Sequence, residues 1–177
     1  MAKRPKLSLI EATKIAYQDL QKSREKNNNF INSISLDNHP PSINFVKYCV
    51  SYGLKKNIIE SFIPIVRTMD IDMEGKTSNG YLLDIFLTKK IEVEPSLSIV
   101  IALELAISEI TKRKIYETEG YFPWQISYLP SSVTKDDPYY ALRYTPWNPN
   151  TSLHYVKINM DGRVSLSENK RNGKVFF

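Results

Sequence analysis

Two aspartates one residue apart, Asp70-Ile71-Asp72, are the first place in this chain where chemistry could sit. Met69, Ile71 and Met73 alternate with Asp70, Asp72 and Glu74, which is the period of a strand. Alternate residues of a strand share a face, so both carboxylates point the same way, ~7 Å apart. A pair so placed can hold Mg²⁺ or Mn²⁺, activate a hydroxyl and neutralise phosphate charge. Ser152-Leu153-His154 leads a later strand. A metal site of this kind needs a further carboxylate from a later strand, and Asp161 is the only candidate. It belongs to Asp161-Gly162, whose residues a tight hairpin turn already explains. The plainer account is a strand whose solvent face is Asp70, Asp72 and Glu74.

The aspartate pair with a Ser-x-His on a later strand resembles the archaeo-eukaryotic primase family. That resemblance implies metal at Asp70 and Asp72 and nucleotide phosphate at His154, that is, metal-dependent nucleotidyl transfer. Other chemistry has less to stand on. Asp84 with Lys89, Lys90, Glu92 and Glu94 lacks the carboxylate two residues before a lysine that a nuclease strand carries. No G-x-S-x-G occurs, and the single cysteine, Cys49, lies in the apolar run 45–50, where a buried thiol is expected. Gly75 and Gly80 have the separation of a phosphate loop, but Tyr81 stands where its lysine must be. One cysteine also rules out an intramolecular disulfide and a cysteine zinc site. We expect no cofactor and no catalysis.

A binding surface is the stronger expectation. Eleven tyrosines and two tryptophans are many for 177 residues, and several of them gather between Tyr116 and Tyr155, with Arg143 and Lys157 interleaved. Aromatics beside Arg on strands can stack bases, and they also populate contacts between proteins. Some of Tyr139, Tyr140 and Trp147 are expected to be exposed and to join copies of the chain. Formal charge is +5 and uneven: residues 1–60 carry 10 basic against 5 acidic groups, 61–120 carry 7 against 10, and 121–177 carry 7 against 4. Basic ends favour an anionic partner, namely nucleic acid, nucleoprotein or an anionic membrane face. Lys3, Arg4 and Lys6 form a basic arm suited to that contact.

The order strand, Pro95-Ser96, helix, then Phe122-Pro123-Trp124-Gln125-Ile126-Ser127-Tyr128-Leu129-Pro130-Ser131-Ser132 is similar to the core of rhabdovirus-type matrix proteins over about forty residues. The likeness implies a small, basic, non-enzymatic protein that self-associates and meets anionic membrane and nucleocapsid. The proline-tyrosine motif of some members is absent, since His39-Pro40-Pro41-Ser42 lacks the tyrosine.

The elements that must position these residues are legible in outline. Ser8 and Glu11 have capping-box spacing and start a helix to about Ser23. Ser42 and Gly53 suggest the cap and stop of another helix, and Asn57 and Glu60 a third, so residues 8–62 read as a helical portion after a flexible arm, 1–7. Strands at 69–73 and 81–93 should pair as a hairpin around a loop at 75–80. Residues 96–114, apolar nearly all round, predict a buried central helix closed by Lys112-Arg113-Lys114. Strands follow at 124–129, 139–144, 153–160 and 163–166, with a possible last one at 175–177. The loops at 131–138 and 146–151 are the expected mobile ones. No internal repeat is evident. Hydrophobic content of 42% and charged content of 24% suit one globular domain. The expectation is an α+β fold with a mainly antiparallel sheet. No secretory signal follows the basic N-terminus, Ala2 is not a myristoylation glycine, and the longest apolar run is Ile99 to Leu103, so a cytoplasmic, reducing location is expected.

Overall fold

The computed structural model describes residues 5–24, 26–27, 29–37, 47–54, 68–79, 94–113, 122–134, 137–144 and 153–169. They form α1 (Leu9–Lys22), β1 (Asn29–Asp37), β2 (Lys47–Leu54), β3 (Thr68–Asp72), β4 (Thr77–Asn79), α2 (Ile99–Lys112), β5 (Gln125–Leu129), α3 (Ser131–Thr134), β6 (Tyr139–Arg143), β7 (Leu153–Asn159) and β8 (Val164–Asn169). The strands make one antiparallel sheet in the order β4-β3-β2-β1-β5-β6-β7-β8. The fold is α+β with a mainly antiparallel sheet.

One face of the sheet holds the core. A single cross-strand row, Met69, Val50, Ile34, Ile126, Leu142 and Val156, is buried from β3 to β7. Rows on either side add Ile71, Tyr48 and Leu36, then Tyr128, Tyr140 and Ile158. Both helices pack on this apolar surface and on each other. Each buried aliphatic side chain here contributes about 1.5–3 kcal/mol.

The chain is built as two matching halves, contrary to the sequence expectation. Each half is a helix followed by a four-stranded meander, α1-β1-β2-β3-β4 and α2-β5-β6-β7-β8. Pro5, Leu7, Ser8, Ala12, Ala16 and Lys22 recur as Pro95, Leu97, Ser98, Ala102, Ala106 and Lys112. Helix α1 buries Leu9, Ala12, Thr13, Ala16 and Leu20; α2 buries Ile99, Ala102, Leu103, Ala106 and Ile110, the same pattern. The hydroxyl of Tyr48 donates to the Leu7 carbonyl at 2.9 Å, and that of Tyr140 to the Leu97 carbonyl at 3.0 Å. Ile71-Asp72-Met73-Glu74-Gly75-Lys76 recurs as Ile158-Asn159-Met160-Asp161-Gly162-Arg163, with Gly75 at φ 83° and Gly162 at φ 84°. The halves meet where β1 pairs with β5, with Ile34 opposite Ile126, so an approximate two-fold axis passes through the middle of the sheet. Lys14 and Glu104, matching positions of the two helices, form an ion pair across that axis at 3.0 Å.

Other expectations change. Residues 29–37 and 47–54 are strands, so the helical N-terminal portion (8–62) shrinks to α1 among the described residues. Tyr48, Val50 and Tyr52 alternate with Lys47, Cys49 and Ser51, and pairing on both sides fixes that alternation as strand. Gly75–Gly80 includes a tight turn and the short β4, which pairs with β3. Helix α2 is not enclosed on every side: Ile101 is 49% and Leu105 36% exposed. Ser131–Thr134 forms a helical turn where a loop was expected. The expected strands at 81–93 and 175–177, the short helix from Asn57 to near Pro64 and the loop at 146–151 lie outside the described residues.

Candidate binding face of the sheet

The face of the sheet opposite the helices carries the residues of interest. Pairing places Thr68, Ser51, Ser33, Ser127, Ala141, Lys157 and Ser165 in one row, and Asp70, Cys49, Ser35, Gln125, Arg143 and Tyr155 in the next. Its centre is therefore made of small side chains, with Ser33 and Ser51 hydroxyls bonded at 2.7 Å and Gln125 Nε2 donating to Ser127 Oγ at 3.1 Å. Charge lies on the two wings.

On the β1–β3 wing, Lys47 Nζ lies 2.6 Å from Asp70 Oδ2 and 4.0 Å from Asp37 Oδ2. The hydrogen bond to Asp70 raises the Lys47 pKa, so this lysine stays charged and neutralised. Asp72 Oδ1 accepts the amides of Glu74 at 3.0 Å and Lys76 at 2.8 Å, which fixes the turn into β4. Burial, with the charges of Asp70 and Asp37 adding to it, pushes the Cys49 thiol up to about 11. A thiol held protonated in this way is a poor nucleophile.

The β5–β7 wing is cationic. Arg143 Nη1 donates to Gln125 Oε1 at 3.1 Å, and its guanidinium sits 5.8 Å from the Trp124 ring centroid. Lys157 Nζ stands 4.4 Å above the Tyr139 ring. Neither cation is paired with a carboxylate among the described residues; both rest on aromatic rings. Arg143 is charged at any physiological pH despite desolvation that lowers its pKa. Beyond Lys157, an open depression of about 620 Å³ is lined by Asp137, Pro138, Lys157, Asn159, Met160, Asp161 and Arg163. Its lining carries both signs of charge.

The residues expected to carry function are scattered. Asp70 and Asp72 do share a face of β3. His154 is on β7, separated from β3 by β2, β1, β5 and β6, which puts it about 24 Å away at the usual strand spacing. Asp161 is in the β7–β8 turn, where its Oδ1 accepts the Arg163 amide at 3.0 Å and its Oδ2 pairs with Arg163 Nε at 2.5 Å; these bonds, the backbone one foremost, lower its pKa. Among the described residues no three His, Cys, Asp or Glu side chains gather as metal ligands would. Tyr139 is half-buried on the open face beneath Lys157. Tyr140 is a correction: one residue on, it points into the core, 1% exposed, and is unavailable to a partner. Lys6 pairs with Glu74 at 3.0 Å, and Leu7 is tied to Tyr48, so the basic arm is anchored from Lys6 onward. Lys3, Arg4 and Trp147 lie outside the described residues.

The sequence did single out Arg143 and Lys157 among the aromatics. It missed the serine-rich centre between the wings, whose signal is the alternation of Ser33, Ser35 and Ser127 with Ile34 and Ile126. Comparison with protein-family models, with curated proteins and with solved structures gives no match. No helix among the described residues is long and apolar enough to cross a membrane.

Proposed function

We propose that this chain is a non-catalytic assembly protein that self-associates and binds an anionic partner in a reducing, cytoplasmic setting, the class to which the matrix proteins it resembles belong. The observation that carries the reading is the pair of cations with no carboxylate partner among the described residues, Arg143 over Trp124 and Lys157 over Tyr139, on the sheet face opposite the helices. Cations already paired to carboxylates, as Lys47 and Lys6 are, have less to gain from a phosphate. Arg143 and Lys157 are diagonal neighbours across β6 and β7. They can meet successive phosphates of a polyanion while Tyr155 on the same face offers a ring. The alternative, nucleotidyl transfer, requires Asp70, Asp72 and His154 in one cleft, and their strands lie on opposite wings.

Fluorescence anisotropy with a labelled single-stranded oligonucleotide tests this, with anionic liposomes as a parallel arm. Affinity falls steeply between low and physiological salt, and Arg143→Ala and Lys157→Ala each flatten the salt slope by about one unit or slightly less. Removal of residues 1–6 measures the separate share of Lys3, Arg4 and Lys6. Binding indifferent to salt and to both face variants refutes the reading. Micromolar Mn²⁺ binding lost in Asp70→Ala would favour the enzyme instead.

A further inference from the structure

We infer that the open sheet face is also where a second copy of this chain docks, face to face, with the acidic wing of each copy on the cationic wing of the other. The inference rests on reading that face as a binding surface. It starts from charges that differ between matched positions. Asp70 on β3 and Lys157 on β7 occupy corresponding places: each lies two residues before the aspartate or asparagine that opens the matching turn, Asp72 or Asn159. Counting described strand side chains of this face alone, Asp37, Asp70 and Asp72 against Lys47 leave the β1–β3 wing two charges negative. By the same count Arg143 and Lys157 leave the β5–β7 wing two charges positive. Asp70 and Lys157 lie one row apart, so two copies related by a two-fold axis lying between the sheets and tilted about 15° from the strand direction superpose opposite wings and bring both Asp70–Lys157 contacts together at once. That axis also gives the aligned packing that facing sheets prefer.

The middle of the face suits close approach. Ser33, Ser35, Ser51, Cys49, Ser127 and Ala141 are short, and the one longer side chain among the described residues there, Gln125, is bonded to Ser127 on the same strand. Strand spacing and rise make the region from β3 to β7 about 24 Å by 17 Å, so a dimer would bury roughly 1,000 Å² in total. That is the lower end of a specific interface, and its polar character suits an association in the micromolar range, reversible by salt. A polyanion and the acidic wing of a second copy would then compete for Arg143 and Lys157.

Sedimentation velocity on the full chain, from low to several hundred micromolar at low salt, reads the association. The wild type forms a dimer and no larger closed species on this face. Asp70→Lys and Lys157→Asp each weaken it by at least about tenfold, because a two-fold interface turns two attractive contacts repulsive together. The double variant, with the charges exchanged, restores it. Asp70→Lys also leaves Lys47 facing a new like charge, so Ser35→Trp serves as a second variant. It places bulk at the centre of the face, away from the helices, and abolishes the dimer with the thermal transition retained. A wild type that stays monomeric, a dimer constant unchanged in the single variants, or a double variant that fails to rescue overturns the inference. The oligonucleotide assay on the same proteins separates this from the function above. Lys157→Asp loses polyanion binding and Asp70→Lys strengthens it whether or not a dimer forms, so a monomer with that behaviour refutes the dimer alone.

Discussion

Replacing Tyr48 and Tyr140 by phenylalanine, singly and together, measures whether the two halves are held by equivalent fastenings. Each hydroxyl reaches across from the sheet to the carbonyl just before a helix cap, Leu7 before Ser8 and Leu97 before Ser98, at 2.9 and 3.0 Å. Burial raises both phenol pKa values well above the ordinary range, so the groups act only as neutral donors. Phenylalanine keeps the ring packing and removes the donor, stranding a carbonyl in a part-buried place. That costs about 1–2 kcal/mol at each site. For a chain of this length the melting temperature falls by about 2–4 °C per kcal/mol, so each variant should melt ~2–8 °C lower. Tyr48 and Tyr140 lie on β2 and β6, three strand steps across and four residues along the sheet, about 20 Å apart, and share no partner, so the losses should add to within ~0.5 kcal/mol. Urea unfolding and calorimetry of the four proteins supply the numbers. Single losses below ~0.3 kcal/mol, or a double variant no worse than either single, would show that these bonds do not anchor the helices as two like units.

The caps and turns of the repeat give further contrasts. Ser8→Ala and Ser98→Ala should each cost about 1 kcal/mol in urea unfolding, since each hydroxyl accepts the amide three residues on. Only the first is pH-dependent: Glu11 bonds back to Ser8 and its pKa is lowered by that contact, whereas α2 has Ile101 in its place. A depressed carboxylate stabilises the fold above its unfolded pKa and ceases to do so as pH falls through the lower folded value. The Ser8→Ala deficit should therefore shrink below about pH 4.5 while that of Ser98→Ala stays constant. Gly75→Ala and Gly162→Ala should each lose about 1–2 kcal/mol for the positive φ. Gly75→Ala should lose more, because its new Cβ would stand 3.1 Å from Ile15 Cδ1 against 3.5 Å from Leu105 Cδ1 at Gly162.

Where local chemistry settles an element, the sequence is a sufficient guide. The capping box of α1, the apolar run of α2, the Asp161-Gly162 turn and the alternations of β3 and β5–β8 are all in place. It misleads where a local signal has two readings. Ser42 and Gly53 bracket a stretch that can be written as a capped helix, and only pairing with β1 and β3 makes Tyr48, Val50 and Tyr52 one face of a strand. The duplication escapes a search at fixed period because the separation of matched residues drifts. It is 90 between Ser8 and Ser98, 92 between Tyr48 and Tyr140, and 87 between Gly75 and Gly162. The candidate site was half legible: the interleaving of Arg143 and Lys157 with aromatics is in the sequence. That Tyr140 is core and Tyr139 is surface depends on the phase of β6, which pairing with β5 sets.

What the two halves share and what they do not share divide along the two faces of the sheet. Facing the helices, matched positions keep size and polarity: Ala12 and Ala102, Leu20 and Ile110, Tyr48 and Tyr140, Ile71 and Ile158. Each of these is enclosed by neighbours from its own half and, near β1 and β5, from the other, so a change of volume is felt at once. On the opposite face that restraint is absent, and there the halves diverge: Lys47 against Tyr139, Asp70 against Lys157, Asp72 against Asn159. Packing gives no reason for a carboxylate on one wing and an ammonium on the other, because a strand accepts either on a partly exposed face. A reason does exist if the face meets something, since a symmetric face can present only one charge pattern twice, whereas an asymmetric one can match a polar partner in a single orientation. The symmetry of the core and its breakdown on the open face are therefore two parts of one argument. The first says how the chain folds, and the second is the ground on which we propose where it binds.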